Sequence, residues 1–120
     1  MSEKHASLES ALMIASSLNL SVDFVIKRII ELELKPWRAI WLSNKQGKCR
    51  LIKSEPYWPE TFLAWIEIDE SPTSPAMRCW NTNGVMKGPL RLKIEGENQQ
   101  FVAECVRTDD EVALGVLYRQ

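Results

Sequence analysis

Apolar residues between Ser7 and Arg38 recur at three- and four-residue intervals, whereas beyond Trp37 they mostly alternate with polar ones. The first spacing belongs to one face of a helix and the second to a half-buried strand. Leu8, Leu12, Ala15 and Leu18 share a face of a first predicted helix. Ser7 suits its N-cap, and Asn19, which tolerates a left-handed backbone, suits its end. Ser21 then caps a second helix, where Asp23 in the first turn is favoured by the positive end of the helix dipole. Val22, Val25, Ile26, Ile29 and Ile30 make its apolar stripe. Asp23, Lys27 and Glu31, four apart and alternating in sign, fall on the solvated side, where such pairs contribute about 0.2–0.5 kcal/mol each. Pro36 stops the element, because the residue before a proline avoids helical geometry. A single unbroken helix from Ser7 to Leu34 is the competing reading.

The rest is punctuated as a β protein. WRAIWLS and KCRLIKS, separated by Asn44-Lys45-Gln46-Gly47, predict a hairpin. In PETFLAWIEID, Phe62, Ala64, Ile66 and Ile68 alternate as in a strand, though Phe62, Trp65 and Ile66 would also share a helix face; the alternation from Ile66 to Asp69 favours the strand. Ser71 to Pro75 is a loop too short to link domains. AMRCW reads as a further strand-like run before a turn at Asn83-Gly84. PLRLKIE sends Leu90, Leu92 and Ile94 inward and Arg91, Lys93 and Glu95 outward. Gly96-Glu97-Asn98 and Thr108-Asp109-Asp110 are turns flanking QQFVAECVR, and Gly115 in the last strand allows a bend or a close backbone approach. The expected fold class is α+β in one domain: an N-terminal helical pair (1–35) packed on a six- to seven-strand antiparallel sheet or small β-barrel (36–120).

Composition narrows function by exclusion. A formal net charge of −1 gives no overall attraction for nucleic acid or anionic lipid. The polar opening Met-Ser-Glu-Lys-His is unlike a signal peptide, and no apolar run approaches the roughly 20 residues that span a bilayer. A soluble, cytoplasmic protein with no membrane partner is expected. His5 is the single histidine, so a histidine-based triad or metal cluster has nothing to build from. Cys49, Cys79 and Cys105 are odd in number, lack the paired spacing of zinc or redox motifs, and sit in strand-like runs as core thiols do. Asp69-Glu70 and Asp109-Asp110-Glu111 lie beside prolines or in a turn, the usual place of solvated acids. Gly84 to Gly88 lacks the strand-to-helix setting of a phosphate loop. No enzyme, metal or cofactor is expected.

The tryptophans point to binding. Trp37 and Trp41 share one face of the first strand, with Trp65 or Trp80 as their candidate neighbours in the core. Tyr57-Trp58 differs, because Pro56 and Pro59 hold it in a rigid loop. A rigid aromatic pair loses little entropy on binding and has the make-up of an interface hot spot. The plain alternative folds both rings back over the end of the barrel. Stacking on a single-stranded base is a third, opposed by Glu55 and Glu60. The expected partner is a protein, met by Tyr57, Trp58 and the Asp23/Lys27/Glu31 face in a regulatory or inhibitory role. An exposed β edge leaves room for a homodimer.

Two resemblances accompany these readings. GPLRLKIEG followed by FVAECVRTDDEVALGVLYR, residues 88–119, is similar to the closing strands of PilZ-type β-barrels. That family binds cyclic di-GMP through an RxxxR pair and a D/NxSxxG loop. Here Arg38 and Arg50 stand alone, and Asn81-Thr82-Asn83-Gly84 shortens the second motif. The resemblance therefore implies the barrel, in a degenerate form that contacts proteins, without the nucleotide. IASSLNLSVDFVIKRIIELELKPWR resembles the helix-turn-helix of excisionase-type winged proteins, with Ala15 fitting the second of two alanines and Ile14 replacing the first. Leu18 and Val25 sit at core positions, and Asn19 stands for the bend glycine. This resemblance implies a nucleic-acid alternative. Lys27 and Arg28 would lie on the reading helix, with Lys45, Lys48, Arg50 and Lys53 on a wing reaching phosphates. Asp23 at the reading end, and Glu31 and Glu33 behind it, depart from that chemistry.

Overall fold

The computed structural model describes residues 8–32, 34, 36–45, 48–55, 66–68 and 70–119. Ser7, Gln46-Gly47, Tyr57-Trp58 and the start of PETFLAWIEID, including Trp65, lie outside the described residues.

Two helices open the chain, α1 (Leu8–Leu18) and α2 (Val22–Glu31), with a bend of 119° between them. The bend follows from local chemistry. Asn19 takes a φ of 56°, and Leu20 N–H donates to Ala15 O at 2.8 Å while Asn19 N–H donates to Ser16 O, which closes α1 with a Schellman motif. Ser21 is extended, and its hydroxyl accepts from Phe24 N–H at 3.1 Å, which starts α2. The unbroken-helix alternative is thereby excluded. Neither helix alone is long and apolar enough to cross a membrane.

Six strands follow: β1 (Arg38–Lys45), β2 (Lys48–Glu55), β3 (Ile66–Ile68), β4 (Met86–Ile94), β5 (Glu97–Arg107) and β6 (Val112–Tyr118). They form one antiparallel sheet in the order β2-β1-β6-β5-β4-β3. The sheet curls so that its two edges approach. Cys49 of β2 and Ile66 of β3 share the interior, and Cys49 N–H donates to Glu70 Oε2 at 3.4 Å. The barrel is nearly closed.

Two apolar cores lie on opposite faces of the sheet. The interior gathers Ile40, Leu42, Leu51, Leu90, Leu92, Ile94 and Leu117 from four strands. Outside, Leu8, Ala11, Val25 and Ile26 of the helices pack on Trp37, Ala39, Trp41, Leu114 and Val116. Trp37 and Trp41 do share one face, but Trp80 belongs to the interior and does not meet them. Strands β1 and β6, under the helices, are buried on both faces; β4 is buried on one and keeps the alternation expected of it.

The structure corrects three expectations. Leu18, expected at a core position, is exposed to solvent. AMRCW is not a strand: Pro75–Arg78 is a helical turn, α3, continued by a 3₁₀ turn over Cys79–Asn81. Ser74 accepts from Met77 N–H and Pro75 opens the first turn, a start signal that outweighs the alternation of a short apolar run. This short unit carries Ala76, Cys79 and Trp80 into the interior. The β4–β5 turn is also shorter than expected, because Ile94 pairs with Glu97 and only Glu95 and Gly96 make the loop. The acidic turn Thr108–Glu111 is as expected. Asp109 Oδ1 accepts from Glu111 N–H at 2.8 Å and Val112 N–H at 3.0 Å, so its carboxylate builds the turn.

Candidate functional site

Three places concentrate chemistry that the fold alone does not consume. The first is under the start of α1. Glu104 projects from β5 into the outer core and is only 3% exposed. Its Oε1 accepts from Leu8 N–H at 2.9 Å and its Oε2 from the Tyr118 hydroxyl at 2.5 Å. A buried carboxylate needs such partners, and the unpaired N–H groups of a helix start supply one. Burial, and then the Glu104 carboxylate, push the Tyr118 phenol above its ordinary range. Glu104 is an anchor: it ties the helical hairpin to the sheet and presents no open atom for catalysis.

The second place is the outer face of the β1–β2 hairpin. Ser43 pairs with Arg50 and Lys45 with Lys48 across the hairpin, and Ser43 pairs with Val112 on the other side. A bulge between Trp41 and Leu42 in this register turns Ile52 and Lys53 both outward. Lys53 Nζ rests 4.7 Å from the Trp41 ring centre. Ser43, Lys45, Lys48, Arg50, Ile52, Glu111 and Val112 line an open groove of about 650 Å³. Lys45, Lys48 and Arg50, expected as wing residues, thus come together. Sequence reading missed Ile52, Glu111 and Val112, since the bulge and the β1–β6 pairing that bring them there leave no local signature.

The third place is the outer side of the helices. Met13, Ile14, Leu18, Leu20 and Phe24 are exposed, with Leu18 at 63% and Phe24 at 51%. Ile14 and Leu18 stand one turn apart on α1, Leu20 is in the bend, and Phe24 is in the first turn of α2. Leu32 and Leu34 continue the exposed apolar series past α2. The expected charged face behaves differently. Asp23 and Lys27 are half-buried, and among the described residues neither is ion-paired. Glu31 instead pairs with Arg28 at 3.0 Å, both well exposed, which adds little to stability.

The three cysteines, distant in sequence, all lie in the interior core. Burial pushes the Cys49 thiol up to about 11 and Cys79 up to about 12; Cys105 is also pushed well up, by burial first and then by its sulfur neighbours. Thiols held neutral in this way are poor nucleophiles and poor ligands. Among the described residues, no group of three or more His, Cys, Asp or Glu side chains is placed to hold a metal ion. Comparison with known proteins adds no outside guide: no family model, no curated protein and no solved structure matches the chain.

Proposed function

We propose that this chain is a non-catalytic recognition module that binds a protein partner through the apolar bend of its helical hairpin, in a regulatory or inhibitory role. The observation that carries the reading is the run Ile14, Leu18, Leu20 and Phe24, large apolar side chains left open to solvent within one bent element. Single exposed apolar residues are ordinary, but a contiguous set marks an interaction surface. The same helices bury their other face on Trp37, Ala39 and Trp41, so the exposed set is surplus to folding. Asp23, Lys27 and Glu31 of α2 are proposed as flanking contacts, and Tyr57 and Trp58, outside the described residues, as a separate contact with the partner.

A photo-crosslinking residue placed at Phe24 tests this in cells. The expected result is a covalent adduct with a second protein that survives nuclease, and its loss when Leu18→Ser is added. An adduct with another copy of this chain alone would make the surface a homodimer contact. No adduct at all would remove the reading.

The grouping of Lys45, Lys48 and Arg50 favours a second reading, a winged helix-turn-helix on duplex DNA, with Lys27 and Arg28 on α2. It expects retention on duplex DNA that weakens steeply with salt. No retention at low salt would discard it.

A further inference from the structure

We propose that the groove of Lys45, Lys48, Arg50 and Ile52 is the docking site for an extended, acidic segment of the protein partner, one alternating carboxylate and leucine-type residues. This rests on the protein-binding reading above and names the chemistry of what is bound.

Charge complementarity selects the acid. The register sets Lys45 directly opposite Lys48 and puts Arg50 on the same outer face, an arrangement of like charges that destabilises a strand pair. Several of the other described cations are engaged, although Lys27, Lys87, Arg91 and Lys93, like these three, have no ion pair among the described residues. Arg28 pairs with Glu31, Lys53 lies on Trp41, Arg107 donates to Trp80 O and Asn83 Oδ1, and Arg119 donates to Gln99 Oε1 over the Phe101 ring. Lys45, Lys48 and Arg50 have no ion-pair partner among the described residues. Against these three the groove holds one carboxylate, Glu111. Relief of their mutual repulsion is available to an incoming anion.

Shape and apolarity select the alternation. Ile52 is 49% exposed, and Val112, on the far side of β1, adds a second apolar residue to the groove lining. In an extended peptide successive side chains point to opposite sides, so residues two apart reach one surface. Carboxylates can then meet the lysine row while an apolar side chain covers Ile52. A nucleic acid is less well served: none of the groove residues is aromatic, so bases have no ring to stack on, and Glu111 repels the backbone.

The test is an amide-resolved NMR titration of the full chain with three probes: an end-capped peptide alternating glutamate and leucine, its lysine-leucine counterpart, and a short DNA duplex. Saturable shifts at Ser43, Ile52 and Val112 with the acidic peptide are expected. Lys48→Glu with Arg50→Glu should weaken that binding about tenfold or more. Lys48→Arg should retain it. Lys45→Gln with Lys48→Gln provides a milder second variant should the reversal disturb folding. The proposal falls if the acidic peptide gives no saturable shift, if the basic peptide or the duplex is preferred, or if charge reversal changes nothing. Should Phe24 capture a protein while the acidic peptide leaves the groove untouched, the groove assignment fails and the recognition function stands. Failure of both removes both.

Discussion

The barrel interior and the space beneath the helical hairpin are both apolar, yet they are closed in different ways. The interior is enclosed by the nearly closed sheet and the α3 unit, and its buried polar groups among the described residues include three thiols and no carboxylate. Among the described residues the outer core is covered by two short helices, and a buried carboxylate, Glu104, holds the start of that lid. The first arrangement is complete in itself. The second still shows apolar side chains to solvent at its bend. This contrast leaves the barrel interior closed and the unburied apolar surface on the helical hairpin.

Removing space from the interior should have the largest effect. A Cβ at Gly115 would stand 3.0 Å from Cys105 Sγ and 3.2 Å from Ile40 Cγ1, both side chains already fully buried. Gly115→Ala should therefore cost about 1–3 kcal/mol, the usual price of overpacking. Its unfolding transition should stay single, with near- and far-ultraviolet dichroism coincident. Adding Cys105→Ala frees the sulfur's volume, so the double variant should be more stable than the two single losses predict. Strict additivity in denaturant titrations would mean that the strand backbone yields instead, and that the interior is less rigid than its packing implies.

The outer core should break more gently and locally. Glu104→Gln keeps the shape but replaces two charge-assisted hydrogen bonds with neutral ones, a loss of about 1 kcal/mol. The effect should appear as faster hydrogen exchange in α1, with β4 and β5 unchanged. Tyr118 gives this anchor a pH signature. Its phenol is raised in the folded chain above the ordinary value of about 10. The folded state therefore keeps a proton that the unfolded state has released. That stabilisation is complete below about pH 10 and fades as the pH climbs beyond it. Tyr118→Phe should flatten the alkaline limb of the stability curve. An unchanged limb would show that the phenol ionises freely and that Glu104 is not its partner in solution.

The contrast between the faces was only half legible in the residues. Strand β4 announced itself because one of its faces meets water, so alternation survived at Leu90, Leu92 and Ile94. Under the helices the pattern is different. Ala39 to Leu42 and Ala113 to Leu117 are continuous buried runs, and such a run names a strand without saying what covers each side. The bend was legible because Asn19 and Ser21 act through their own backbone neighbours. The Glu104 anchor was not, since its partner Leu8 lies at the other end of the chain and nothing local marks the pair. Of the groove, the three cations stood out by charge. Ile52 depended on a bulge, and Val112 on a neighbour strand far along the sequence.

The smallest expected effect separates the two regions by their turns. Both use left-handed residues, Asn19 at φ 56° in the hairpin bend and Glu95 at φ 51° in the β4–β5 loop, where Gly96 follows at φ 85°. Two successive left-handed residues make a type I′ turn, for which Asn-Gly is the favoured pair. Asparagine bears this conformation through local hydrogen bonding, while the longer glutamate pays part of the steric penalty of about 1–2 kcal/mol. The hairpin bend thus already holds the residue its geometry favours, and the barrel turn does not. Glu95→Asn should raise the denaturant midpoint by the equivalent of about 0.5–1 kcal/mol, and Asn19→Ala should lower it by a similar amount. A gain at Glu95 without a loss at Asn19 would mean that the Schellman closure is held by tertiary packing of the helices, which would tie the bend to the outer core instead of to its own sequence.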